Sequence, residues 1–306
     1  MAAVLWRRVA GLIPLLFVIS FVAFLVLEMS PGEPVRLMLG ENATDEGIHA
    51  LRSQLGLDRP LYAQFGVFLW DALHGDLGRS YRTHQPVIAE LSQRLVNTMK
   101  LAVAAYGLSA LVGLTLGVVT ALHRNSWLDY VLRVAALGSV SVPVFWFGIL
   151  LIFVFAVDLH WLPSSGSATP STIILPAVAL STYSLGVLVR MTRTAVSEVL
   201  SQDYLRTAFA KGLRRRSVIV RHALRNALIP IITLMGLQFG GLISGAVVTE
   251  TVFAWAGVGR YMIDSLFARD YPAMRACILL FAVGFLFVNL LVDICYVYLD
   301  PRIRYS

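Results

Sequence analysis

The sequence predicts an all-α fold: a polytopic transmembrane helical bundle with six spans. Three observations predict it. The 306 residues are 58% hydrophobic and only 14% charged, with a mean hydropathy of +0.74. Six apolar runs of near-spanning length follow one another along the chain. Basic residues gather in alternate connections. A soluble domain carries about 25% charged and 45–50% apolar residues. This chain cannot cover itself with polar surface, so lipid must be part of its solvent.

A spanning helix needs about 20 mostly apolar residues. The first run, Val9 to Leu27, has no ionisable side chain and follows Arg7 and Arg8. A signal peptide is the competing reading. Its apolar region is roughly 7–15 residues long and ends in a small-residue cleavage site. Here the run is longer and leads into Glu28-Met29-Ser30-Pro31, so a retained helix is expected. The further runs are Leu101 to Leu122, Val134 to Val157, Leu175 to Val189, Asn226 to Thr249 and Ala276 to Leu299. The fourth is expected to start at a Ser171-Thr172 cap, and Asp293 alone interrupts the sixth. Pro14, Pro143, Pro176 and Pro230 fall in or at the start of these runs. Membrane bundles tolerate such breakers because neighbouring helices re-satisfy the freed backbone groups.

Six spans place both termini on one side. Short loops rich in Lys and Arg stay cytoplasmic. Arg7, Arg8, Arg124, Arg133, Arg302 and Arg304 lie on one side, with Arg190, Arg193, Arg206, Lys211, Arg214, Arg215, Arg216, Arg221 and Arg225 between the fourth and fifth runs. The other side holds the long segment 31–97, a stretch at 158–170 without Lys or Arg, and 250–275. Both termini are therefore expected in the cytoplasm and 31–97 outside. The net charge of +7 follows this topology and does not form a nucleic-acid-binding patch. Cys277 and Cys295 both sit in apolar sequence, which implies packing and no disulfide framework.

In the outer segment, Ala50 to Pro60 reads as a helix ended at Gly56, and Leu61 to Trp70 as an amphipathic helix against membrane or bundle. That segment either receives an external partner or covers the outer mouth. The fifth run is weakly apolar, with Gln238, Gly240, Gly241 and Ser244, which suits a path-lining helix or close helix packing. Asp293 serves transport or structure. Glu250, at the outer end of the fifth run, is expected at the interface.

The connection at about 195–228 is the most informative stretch. Residues 197–211 favour helix, and Gly212 stands at a C-cap position after Lys211. A second helical stretch follows from Val218 to Leu224. A helix this short is marginal in water and needs a partner surface. Tyr204, Leu205, Ala208 and Phe209 share a helical spacing among basic residues, as a docking element for a soluble subunit would. A basic loop resting on anionic lipid is the alternative.

Arg206-Thr207-Ala208-Phe209-Ala210-Lys211-Gly212, with His222-Ala223-Leu224-Arg225-Asn226-Ala227-Leu228-Ile229-Pro230, resembles the Glu-Ala-Ala loop of ABC importer permeases. It is similar to the oligopeptide, dipeptide, glutathione and nickel branch of that family. Arg206 replaces the general motif's Glu, while Ala208, Gly212 and Leu224 are kept. Ser30-Pro31-Gly32-Glu33-Pro34, Leu55 to Pro60, His74 to Ser80, Thr249 to Arg260, Arg269-Asp270-Tyr271-Pro272 and Leu299 to Tyr305 extend the resemblance over nearly the whole chain.

The resemblance implies a type I ABC importer permease (MetI-like) fold. Residues 1–97 would hold the first helix and the outer segment, and 98–306 the permease core. It implies a bacterial inner-membrane permease subunit with a second, homologous permease, two ABC ATPases that bind ATP and Mg, and an external substrate-binding protein. The chain itself would carry no catalytic residue, metal or cofactor. Asp203, Tyr204, Arg206, Thr207, Ala208, Phe209, Lys211, Gly212, Arg214, Arg215 and Arg216 would couple to the ATPase. Gln238, Gly241, Ser244 and Asp293 are the candidates for the pathway. Di- or oligopeptide is the expected cargo, with glutathione or nickel as alternatives. A secondary transporter is the rival of another class. It calls for internal repeats and midplane charges, and neither is evident. No phosphate-binding Gly-x-x-x-x-Gly-Lys-[Ser/Thr] loop or hydrolase motif is present.

Overall fold

A computed structural model describes residues 2–29, 35, 39, 44–54 and 56–299. Side chains at 2–10, 28, 206, 209, 215, 229, 237, 243, 244, 293 and 295–299 are not described. The Pro31-Gly32-Glu33-Pro34 stretch and the tail 300–306 thus lie outside the described residues, and the side chain of Cys295 outside the described side chains.

The long elements are helices: α1 (Ala2–Glu28), α2 (Asp45–Gln54), α3 (Leu61–Leu73), α4 (Val87–Leu122), α5 (Trp127–Ser141), α6 (Val144–Leu151), α7 (Ile174–Leu200), α8 (Asp203–Ala210), α9 (Arg215–Ser217), α10 (Arg225–Val252), α11 (Val258–Ala268) and α12 (Tyr271–Leu299). Among the described residues the β contact is an isolated bridge between Arg79 and Pro86.

Val87–Leu122, Pro170–Leu200 and Tyr271–Val292 are each long and apolar enough to cross a membrane. Two further stretches pass as bent pairs, Trp127–Ser141 with Val144–Asp158 at 106° and Val218–Leu228 with Pro230–Leu242 at 45°. Gly11–Leu27 is a shorter apolar helix. These six segments overlap the six apolar runs of the sequence, with bounds that differ by up to 14 residues, Val87 against Leu101 at the start of the second.

The third run departs from a simple span. It breaks at Val142, which is extended (φ −82°, ψ 126°), and α6 starts after Pro143. Proline lacks an N–H and its ring disfavours the α conformation of the preceding residue. Beyond α6 the chain widens into π-helical turns over Ile152–Asp158. The fourth run is longer than hydropathy suggested, since α7 continues to Leu200 and carries Arg190 and Arg193 within the helix. It starts after a 3₁₀ turn, Pro170–Ile173, without a side-chain cap. Glu250 is fully buried where an interfacial position was expected. The chain folds back after α10, with Trp255 N–H donating to the Glu250 carbonyl at 2.8 Å.

The described residues form two compact units, one within 99–255 and 287–299, the other within 2–98 and 256–286. In the first, α4, α5, α7 and α10 meet through small residues. A Cβ on Gly186 of α7 would collide with Ser139 Oγ and lie 2.5 Å from the Ala136 carbonyl oxygen of α5. A Cβ on Gly117 of α4 would overlap Thr192 and lie 2.9 Å from the Val189 carbonyl oxygen of α7. Such contacts bring backbones close where lipid supplies no hydrophobic drive between helices. Leu101, Leu180, Leu242 and Trp255 form one buried cluster, and Leu188, Val196, Ala227 and Ile231 another.

In the second unit, Phe65 of α3 sits edge-on to Phe17, Phe21 and Phe24 of α1, at centroid distances of 5.1–5.5 Å. The amphipathic helix expected at 61–70 therefore packs its apolar face on the first span. Helix α2 ends as expected, with Gly56 left-handed (φ 69°) and Leu57 N–H donating to the Arg52 carbonyl at 3.0 Å. Buried Asp270 caps α12 and holds the loop at 78–86. Its carboxylate accepts from Ser80 Oγ, from Tyr81 N–H at 3.1 Å and from Ala273 N–H at 3.4 Å. Asp270→Ala leaves three donors without their acceptor, at a cost of about 2 kcal/mol or more. Amide hydrogen exchange at Tyr81 and Ala273 should accelerate in that variant and stay slow in Asp270→Asn.

Candidate coupling site

Helix α8 follows α7 after only Ser201 and Gln202. Its eight residues, Asp-Tyr-Leu-Arg-Thr-Ala-Phe-Ala, start with Asp203, whose charge complements the positive end of the helix dipole. Thr207 Oγ1 donates to the Asp203 carbonyl at 3.1 Å. The helix stops where the sequence placed its stop. Gly212 is left-handed (φ 76°), and Leu213 N–H reaches back to the Ala208 carbonyl at 3.4 Å, the six-residue closure of a glycine-ended helix.

Among the described side chains of this helix, one anchors it inward. Leu205 is buried against Val218 and Ala223, with Val199, Leu200 and Ala208 around it. Tyr204 is 43% exposed, and its hydroxyl accepts from Asn226 Nδ2 at 2.8 Å. Asp203, Thr207, Lys211, Gly212, Arg214 and Arg216 are exposed, and Ala208 is half-buried. The side chains of Arg206, Phe209 and Arg215 lie outside the described ones. The expected apolar docking face is thus divided: Leu205 belongs to the interior and Tyr204 to the outer face. The second expected helix is not separate either. Its π-helical turns, Val218–Leu224, run straight into α10. Leu205→Ala removes the anchor, at about 2–4 kcal/mol. Limited proteolysis within 201–217 should become faster, with the spans still protected.

Two turns before the end of α7, an ion pair ties that helix to α5. Arg193 donates bidentately to Asp129, Nε to Oδ1 at 2.7 Å and Nη2 to Oδ2 at 2.9 Å. Asp129 is fully buried, while the Arg193 side chain is 19% exposed. The Asn125 N–H adds 3.0 Å to Oδ2, and Arg133 Nε lies 3.4 Å from Oδ1. Sequence reasoning placed Arg193 among loop charges and passed over Asp129. The only local signal is Ser126-Trp127-Leu128-Asp129 at a helix start, where Ser126 Oγ accepts from Asp129 N–H at 3.2 Å.

The candidate pathway residues are less unified. Gln238 is half-buried, its Nε2 without a hydrogen-bond partner among the described residues. Gly241, one turn on, is exposed and faces open space. The side chains of Ser244 and Asp293 lie outside the described ones. Gly236 approaches Val292, whose methyl carbons would stand 3.0 Å from an added Cβ, so α10 and the end of α12 are neighbours.

Comparison of the sequence with family profiles matches residues 113–305 to the binding-protein-dependent transport system inner membrane component. Residues 1–102 match the N-terminal component of the same transport systems. The chain belongs to this family. The permease is 44% identical to the glutathione transport system permease protein GsiC of Escherichia coli strain CFT073, over 98% of each chain. It is 43% identical to the protein of the same name from Escherichia coli strain K12 and from Shigella flexneri, again over 98% of each. Solved structures share the fold. The MetNI methionine ABC transporter, inward facing, superposes with a TM-score of 0.60 at 16% identity, covering 69% of this chain and 96% of that one. An amino acid ABC transporter gives 0.53 at 16% identity, covering 68% and 93%. The permease is thus a membrane subunit of an ABC importer, a transport component and not an enzyme. It works with an ATPase and a binding protein, as its family does.

Proposed function

We propose that this permease is one of two homologous membrane subunits that import small peptides into the bacterial cytoplasm, glutathione among them. Two ABC ATPases bind ATP and Mg on the cytoplasmic side, and an external binding protein delivers cargo. In this reading both termini are cytoplasmic, residues 1–97 form the first helix with its outer segment, and 98–306 the permease core.

The observation that carries the coupling part is the build of α8. A helix of eight residues cannot hold itself in water. It is fastened inward by Leu205 and presents Asp203, Tyr204, Thr207, Lys211, Arg214 and Arg216 outward. Arg206, Ala208, Phe209, Gly212 and Arg215 complete the grip. ATP-driven closure of the ATPases pulls this helix and tips the bundle between inward-open and outward-open states, the alternating access of a bistable bundle. Gln238, Gly241, Ser244 and Asp293 are the proposed pathway residues.

The cargo part is supported by the relatives at 43–44% identity, which are named for glutathione transport. Glutathione is a small peptide with two carboxylates, so it falls within the class that the loop motif suggested. The test is uptake by proteoliposomes holding the whole transporter and its cognate binding protein. Labelled glutathione, a dipeptide and nickel are offered separately, with and without ATP. ATP-dependent accumulation of glutathione or dipeptide is expected. Accumulation of nickel alone would sink the cargo assignment, and uptake indifferent to ATP would sink the importer.

A further inference from the structure

The pair formed by Asp129 and Arg193 joins three pieces of the fold. Asp129 lies in the first turn of α5, and Arg193 in α7, 64 residues away. The Asn125 N–H comes from the turn between α4 and α5, where Asn125 is itself left-handed (φ 64°). Next to Arg193, Thr192 packs on Gly117 of α4. From Arg193 to the end of α7 is about 10 Å of helix, and α8 begins two residues later.

A buried ion pair is poor evidence of stabilisation, because desolvation offsets much of the attraction and apolar replacements are often as stable. A two-pronged guanidinium–carboxylate contact does impose direction, since both bonds are kept in one relative orientation. Here that orientation links the helix leading into α8 to the helix that opens the bent third segment. Helix α5 ends at Val142 and Pro143, where the chain turns by 106°.

We propose that Asp129 and Arg193 are positioning residues for transport: they make α5 and α7 one lever, so that displacement of α8 moves the bent segment. This inference rests on the reading of α8 as the ATPase grip. Arg133, a half-exposed side chain 3.4 Å from the same buried carboxylate oxygen, supplies a second positive charge to it as the lever moves.

The test uses the complete transporter in proteoliposomes, with ATP hydrolysis and uptake measured on the same sample. Arg193→Lys keeps the charge and loses the two-pronged geometry. The double variant Asp129→Leu with Arg193→Met removes both charges and keeps apolar bulk. Both are expected to assemble and hydrolyse ATP, with cargo moved per ATP lowered roughly tenfold. Wild-type cargo per ATP in the double variant overturns the proposal, since packing alone then suffices. Failure of both variants to assemble also overturns it, since the pair then serves folding. Tyr204→Cys, cross-linked to a cysteine on the ATPase, tests the underlying reading separately. Absence of that cross-link removes the grip, whereas its presence beside normal coupling in the double variant removes only the lever.

Discussion

Gly212→Val is expected to leave the permease inserted and assembled but to cut ATP-driven uptake roughly tenfold. Gly212 sits at φ 76° at the end of α8. A left-handed backbone costs a non-glycine residue roughly 1–2 kcal/mol, more for a β-branched one, and each 1.4 kcal/mol is about a factor of ten. A Cβ there meets nothing within 4 Å of the chain itself, so an internal clash plays no part. The strain reopens the turn that closes on the Ala208 carbonyl, and α8 loses its fixed end. Asn tolerates the left-handed region far better, so Gly212→Asn should keep most of the uptake. The measurement is uptake and ATP hydrolysis by the reconstituted transporter. Equal activity of the valine and asparagine variants would show that the turn's geometry does not matter.

Gly186→Leu should destabilise the bundle itself, by about 3 kcal/mol or more. Its Cβ would meet Ser139 Oγ and the Ala136 carbonyl oxygen of α5. A side chain can rotate away, but a backbone carbonyl inside a helix cannot, so α5 and α7 would have to separate. That separation would also stretch the Asp129–Arg193 pair. The expected result is a marked fall in thermal stability of the detergent-purified protein, followed by size-exclusion chromatography. Gly138, on α5, faces open space, and Gly138→Ala serves as the matched control with no loss.

Local signals in this sequence were readable because they act over a few residues. Hydropathy marked six segments, and Gly56 and Gly212 marked helix ends where a positive φ is needed. Pro143 was legible as a helix breaker, but the third run was expected to be one span, and the 106° break at Val142 came from the structure. Ranges and partners were harder. The end of α7 was missed because Arg190 and Arg193 looked like loop charges, and what keeps Arg193 in a helix is Asp129, 64 positions away. Leu205 and Tyr204 shared one helical spacing on paper. Their division between interior and surface depends on Val218 and Ala223, which come from the next element.

The sequence by itself determined that this chain is a six-segment membrane protein of a permease family, because apolar length, charge asymmetry and loop motif are properties of the chain alone. Tertiary structure alone decided which helices touch through glycine, where Arg193 finds its carboxylate, and which residue of α8 faces inward. Those outcomes depend on which distant segments come together. A pairing of that kind leaves no periodicity in one chain for hydropathy or turn chemistry to reveal.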